Sequence, residues 1–182
     1  MSRAIGMAEF KTLSAGMTAP ATIVKTADVD IIEAETVCPG KYIVIIRGER
    51  SAVDASGEAA KTVHSMHLID SFGRGNPADE IFPAIYGASK VEIVNSLGII
   101  ETYDAAAIIV AADQAAKTAE VSLIEIRLAR GMCGKSYLLI TGEVAAVEAA
   151  IARAQKAVEP RGMYLDSSVI ARPDKKLIDQ IL

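Results

Sequence analysis

Apolar residues along this chain come in short runs of two kinds, and the series of runs occurs twice. "AIGMAEF" (4–10) and "GIIET" (98–102) alternate or run apolar, the pattern of a buried strand. A helical stretch follows each. The first is expected at 16–27, with Pro20 in its opening turn, because an interior proline loses a hydrogen bond and clashes with the turn before it. The second is expected at 104–119, with Asp104 as its N-cap. "DVDIIEAETV" (28–37) and "EVSLIEIRLA" (120–129) then read as strands, a turn follows each, and "KYIVIIRG" (41–48) and "SYLLITGE" (136–143) read as strands again. A second helix is expected at 51–63, opened by Ser51, and at 144–158. Short strands near 66–72 and 163–170 close each series, and short helices follow Pro77 and Pro173, since proline favours the first helical position. The order is βαββαβ with a central hairpin. That predicts an α+β, ferredoxin-like (split βαβ) arrangement, with helices on one face of a small antiparallel sheet. The fold hosts many unrelated functions and decides none of them.

The two series are copies. "KTADVDIIE" (25–33) answers "KTAEVSLIE" (117–125), "GKYIVIIRGERSAVDA" (40–55) answers "GKSYLLITGEVAAVEA" (134–149), and "LIDSFGRGNP" (68–77) answers "YLDSSVIARP" (164–173). A tandem duplication covers nearly the whole chain, and the expected domains are residues 1–92 and 93–182. The second copy gains two residues where "TVCPGK" becomes "LARGMCGK". Loops absorb such length changes, so this is the same loop in both copies, and it carries both cysteines, Cys38 and Cys133.

Composition narrows the function. Aromatic residues make up 4 % of the chain and tryptophan is absent, so platforms for stacking single-stranded bases are few. The net charge is −4 and no basic block stands out, which removes the driving term for nucleic-acid binding. No apolar run approaches the roughly 18–20 residues that cross a bilayer. No charged-then-apolar leader precedes the first strand, and the expectation is an intracellular protein. Two cysteines are too few for a secreted disulfide framework.

Cys38-Pro39-Gly40-Lys41 reads as a type II turn, with proline at its second corner and glycine supplying the positive φ of its third. His64 and His67 lie three apart, but zinc takes about four ligands and no Cys or carboxylate set joins them. They read as ordinary histidines. Glu9 and Glu101 recur because the repeat recurs, and an interface hydrogen-bonding role is expected rather than acid–base chemistry. "GRGNPADE" (73–80) lacks dinucleotide or P-loop spacing and reads as a connector between the copies. No nucleophile–base arrangement is present in the sequence, so an enzyme is not expected.

The strand "AIGMAEF", the helix ending in Lys25 before "TADVDII", the loop "CPGK", the strand "YIVIIRGE" and the terminal "VIARP" together resemble the bacterial microcompartment shell-protein domain. Two copies resemble the tandem-domain shell proteins, and the "TVCPGK" loop is similar to the propanediol-utilisation T type. The resemblance implies a homotrimer that imitates a six-fold hexamer, a pseudo-hexamer. Such tiles pack edge to edge with other shell proteins into the wall of a compartment in the bacterial cytoplasm, with no membrane or nucleic-acid partner. It implies a central pore lined by the loop between the second and third strands. Those pore-loop residues are Pro39, Gly40 and Lys41 in copy one and Met132, Cys133 and Gly134 in copy two. It implies a tile edge carrying Lys25, Lys117 and Arg172, with Asn76 at the place of Arg172 in copy one and Arg74 two residues before it.

It further implies an iron–sulfur cluster on the three-fold axis, with Cys38 as the metal-binding residue. Such clusters are held by about four cysteines, so one thiol per chain suffices only if symmetry multiplies it. Three Cys38 thiolates match the three-fold face of a [4Fe-4S] cubane, one per trimer, whose fourth iron has no protein cysteine. The expected role is electron transfer or cluster delivery across the shell, with a redox enzyme inside as a possible partner. The alternative is a metal-free pore passing small polar metabolites. Cys133 departs from the T-type pattern and is expected to be a free or buried thiol. A second ligand set or a disulfide with Cys38 stays open.

Overall fold

A computed structural model of the chain describes residues 3–91 and 94–181. The expected boundary between residues 92 and 93 lies outside the described residues. The chain forms two compact units: one takes the chain up to Pro77 together with Arg130–Gly134, and the other takes Ala78–Ala129 and the chain from Lys135 onward.

In the first unit the elements are β1 (Arg3–Phe10), α1 (Leu13–Thr26), β2 (Val29–Val37), β3 (Lys41–Glu49), α2 (Arg50–Val63) and β4 (Leu68–Gly75). The sheet order is β2-β3-β1-β4, antiparallel at every pairing. Ala19 and Ile23 of α1 and Val53 and Ala60 of α2 share one buried cluster with Ala4, Ala8 and Phe10 of β1 and Tyr42, Val44 and Ile46 of β3. Both helices therefore cover the same sheet face. The buried Ser56 hydroxyl donates to the Ile23 carbonyl at 3.0 Å and ties the helices together.

In the second unit a short α3 (Ile81–Ile85) precedes β5 (Ser96–Thr102), α4 (Ala105–Ala116), β6 (Val121–Arg127), β7 (Ser136–Gly142), α5 (Val144–Val158), β8 (Tyr164–Ala171) and α6 (Lys175–Ile181). The order β6-β7-β5-β8 repeats that of the first unit. Asn76 and Arg172, aligned in the two copies, both adopt left-handed backbone, with φ of 51° and 49°. Among the described residues no helix is long and apolar enough to cross a membrane.

Two local expectations need correction. Pro20 lies inside α1 and not in its opening turn, because the helix starts at Leu13. Thr12 caps it, its hydroxyl accepting from the Ala15 N–H at 3.4 Å, and this cap outweighs the weak apolar pattern of residues 13–16. Ser51 does not open α2: the helix begins at Arg50, and Glu49 occupies the capping position with extended backbone and no side-chain cap bond. Asp104 does cap α4, accepting from the Ala107 N–H at 2.6 Å.

The copies differ in how they fill the contact between the first helix and the third strand. A Cβ on Gly16 would lie 2.2 Å from Cβ of Tyr42, so α1 can approach β3 only without a side chain there. In the second unit the equivalent positions are Ile108 on the helix and Ser136 on the strand, both fully buried. The bulk has moved from strand to helix. Such volume-conserving exchanges are the ones cores tolerate best.

Candidate functional site

The β2–β3 connection is shorter than a type II turn on Cys38-Pro39-Gly40-Lys41 requires. Val37 and Lys41 are paired across the strands, which leaves only Cys38, Pro39 and Gly40 between them. The Gly40 N–H donates to the Val37 carbonyl at 3.0 Å, so the turn begins at Val37. Pro39 occupies its third corner after a cis Cys38–Pro39 bond, and Gly40 follows with φ of 88°. Cys38 sits half-buried at the second corner, while Pro39 and Gly40 are exposed.

Lys41 does not extend from this turn into solvent. Its ammonium forms an ion pair with the carboxylate of Glu9 on β1, and the two side chains are 15 % and 0 % exposed. The loop's cation is thereby withdrawn to the sheet, and the turn is tethered to the unit's central strand pair.

The longer loop of the second copy contributes Arg130–Gly134 to this same unit. Ala129, Gly131, Cys133 and Gly134 all have positive φ, between 53° and 91°. A Cβ on Gly134 would lie 3.2 Å from Lys41 Nζ and 3.4 Å from the Cys38 carbonyl oxygen. Cys38, Lys41 and Gly134 are thus neighbours, whereas Met132 is half-buried and Cys133 exposed. Both thiols are free.

Arg130 docks this loop. Its guanidinium forms ion pairs with Glu33 and Glu35 on β2. Burial pushes the Glu33 carboxyl up to about 7; Arg130 opposes that shift and Glu35 adds to it. A carboxyl with a raised folded-state value binds its proton more tightly folded than unfolded. Its stabilising contribution is full below the ordinary value of 4.5 and is lost as pH rises through 7. Urea midpoints measured from pH 4.5 to 8 should therefore fall with pH in the parent chain, and the fall should be shallower in Glu33→Gln. An unchanged slope would contradict this burial.

At the expected tile edge, Lys25 lies exposed in the last turn of α1. Lys117 follows α4 and pairs with the buried Asp113 at 2.6 Å. Arg172 is exposed after β8, and its N–H donates to the Asn95 carbonyl at 3.1 Å. His64 packs edge-on against Phe10, with ring centroids 5.8 Å apart. Among the described residues no three or more His, Cys, Asp or Glu side chains of one chain come together as a metal site.

Sequence reasoning missed Arg130 and the partner of Lys41. Arg130 falls in the two-residue insertion and has no counterpart to draw attention to it. Glu9 was visible as a repeated strand glutamate, but its link to Lys41 joins residues 32 apart in the chain.

The BMC domain matches residues 4–76 and again 96–173. The chain is 33 % identical over 182 residues to the bacterial microcompartment shell protein PduT of Citrobacter freundii, covering 100 % of this chain and 99 % of that protein. A microcompartments protein from Desulfitobacterium hafniense DCB superposes with a TM-score of 0.90 at 41 % identity, over 98 % of this chain and 99 % of that one. A fused permuted hexameric shell protein from the RMM microcompartment shares the fold, with a TM-score of 0.65 at 18 % identity over 87 % of this chain and 82 % of that one.

Proposed function

The chain belongs to the bacterial microcompartment shell-protein family and carries the BMC domain twice; on that premise we propose that three chains close into a pseudo-hexameric tile whose central loops hold an iron–sulfur cluster. The family is structural, not catalytic, and resides in the bacterial cytoplasm, where its members assemble with one another into shells. The finer reading concerns the centre and edge of the tile.

What carries it is the Cys38 thiol, half-buried at the second corner of a three-residue connection, beside a lysine whose ammonium is turned away to Glu9. The donor set fits a cluster only through symmetry. One chain offers a single thiol at this turn, so three Cys38 thiolates, one per chain, are the ligands that a three-fold axis would supply. The fourth iron would carry no protein cysteine. When bound, such a cluster supplies one-electron transfer. The chain's own contribution is to hold the turn. The Lys41–Glu9 pair and the strand pairing at Val37 fix the backbone on either side of Cys38. Lys25, Lys117 and Arg172 are assigned to the tile edge.

Purification without oxygen tests the proposal. We expect about four irons per three chains, with colour and low-temperature EPR signal lost in Cys38→Ala and kept in Cys133→Ala. A colourless, iron-free trimer under those conditions would sink the cluster and leave the metal-free metabolite pore. For the edge, Lys25→Ala with Lys117→Ala should leave the trimer mass unchanged while abolishing extended sheets in electron micrographs.

A further inference from the structure

The two copies finish the contact between their second helix and last strand differently. In the first unit, α2 and β4 leave a groove of about 330 Å³ between them, bordered by Gly57 in the middle of α2 and by Gly73 on β4. Gly73 pairs with Gly6, where a Cβ would meet Val53 Cγ1 of α2 at 2.8 Å, so Gly73 belongs to the sheet face beneath the helix. In the second unit the same two places hold Ile151 and Val169, and Ile151 is 6 % exposed. Side chains fill there what glycines leave open here.

Packing gives Gly57 no reason to be glycine. It sits in helical backbone, where glycine is among the poorest residues, and it is not one of the glycines with positive φ. A Cβ on it would meet nothing within 4 Å. A larger residue would fit and would favour the helix. What it would remove is the groove.

The charges on the rim have an order. Arg50, Asp54, Gly57 and Lys61 recur at the spacing of one helical face, with Glu58 beside them. Arg50 Nε donates to Asp54 Oδ2, and the Lys61 ammonium donates to Glu58 Oε1, both at 2.6 Å. Along the helix the sequence of charges is cation, carboxylate, carboxylate, cation. Asp54 and Glu58 stand one turn apart, a like-charge spacing that is unfavourable by itself. The two cations lie outside this pair and not between its members. Asp54 Oδ1 stands over β4, 2.7 Å from where a Cβ on residue 73 would be, so Gly73 makes room for this carboxylate.

The floor of the groove is apolar. Val53 is 1 % exposed, and Val53 and Gly57 also border a smaller cavity lined by Ile23, Val44 and Ile46. The second copy lacks the charged rim as well as the space. Asp54 has a charged counterpart in Glu148, but Arg50, Glu58 and Lys61 correspond to Val144, Ala152 and Gln155.

We propose that the groove between α2 and β4 of the first unit binds a small organic ammonium ion. Its charged head sits between the Asp54 and Glu58 carboxylates, and its alkyl part lies over Gly57 against Val53. Gly57 supplies the space, Gly73 admits the Asp54 carboxylate, and the Arg50 and Lys61 ion pairs hold the two carboxylates in position. A carboxylate accepts several hydrogen bonds, so these pairs leave acceptor capacity for the ligand.

Saturation-transfer NMR on the full chain with millimolar n-butylammonium tests the site. The methyl signal of the ligand should appear with the parent chain and fall at least tenfold in Gly57→Ile, which copies the second unit and alters no charge. Circular dichroism of that variant should be unchanged and its urea midpoint no lower. Glu58→Gln, at an exposed position, should reduce the signal at least threefold, and it decides the matter if Gly57→Ile does not fold. Butyrate should give less than a tenth of the butylammonium signal. An undiminished signal in Gly57→Ile would mean that the ammonium only coats a chain of net charge −4, and would overturn the site. An unchanged signal in Glu58→Gln, an equal signal from butyrate, or no signal with the parent chain would overturn it too.

Discussion

Gly16→Ile should prevent the first unit from folding, and Tyr42→Ser in the same chain should restore most of its stability. An isoleucine at position 16 would drive its Cβ to 2.2 Å from Tyr42 Cβ and 2.4 Å from Cγ. These atoms sit at the base of the ring and cannot swing aside. Ordinary overpacking costs about 1–3 kcal/mol. A clash with the root of a buried tyrosine exceeds that and consumes much of the roughly 5–15 kcal/mol that holds a domain together. The second copy has already made the exchange, with Ile108 and Ser136 both fully buried. Recovery should be incomplete, because Tyr42 also donates its hydroxyl to the Ala34 carbonyl at 2.9 Å, and serine cannot reach that far. Urea denaturation of the two single variants and the double variant measures the coupling. Simple additivity would contradict the swap.

The second large effect concerns the ion pair beneath the central turn. Lys41→Met should cost about 3–5 kcal/mol, because it leaves the Glu9 carboxylate in the interior without the ammonium that compensates it. Glu9→Leu should cost less. Lys41 is 15 % exposed and its long stem can carry the charge outward, whereas Glu9 is fully enclosed. The pair Glu9→Leu with Lys41→Met should recover most of the loss, since a buried pair replaced by apolar residues is often neutral. Urea midpoints rank the three variants. The double variant separates stability from function as well: a folded trimer that no longer retains iron would show that the pair positions Cys38 and does not merely stabilise β1 and β3. Equal losses for Lys41→Met and Glu9→Leu would contradict the asymmetry.

The pH dependence assigned to Glu33 is smaller and has a different origin. It comes from β2 meeting a loop of the other copy. Nothing in the run "DIIEAE" distinguishes Glu33 from an ordinary strand carboxylate. Burial in the folded unit, with Glu35 beside it, raises its proton affinity, and Arg130 only partly offsets that rise.

Element order was legible in the chain because hydrophobic period and punctuation are local. The runs at 41–48 and 136–143 are strands as expected, and α5 spans Val144–Val158 as expected. The start of α1 was not legible from periodicity, since its first residues present an apolar face to solvent. Leu13 and Met17 are exposed, whereas their counterparts in α4, Ala105 and Ile109, are buried. The turn at Cys38 was misread because its type depends on where strand pairing stops, and the pairing of Val37 with Lys41 is a property of the sheet.

By itself the sequence determined the duplication, the βαββαβ order of each copy and the equivalence of the two cysteine loops, all of which depend on local pattern or on alignment of the chain with itself; the shell-protein family came from the resemblance of its motifs to that family. The tertiary structure alone decided that Lys41 turns inward to Glu9, that Arg130 brings the second loop onto the first unit, and that one copy leaves bare the surface the other covers. The reason is range. A period or a cap is set by neighbours a few residues away, whereas an ion pair or a covered face is chosen by groups that meet only after the sheets have formed.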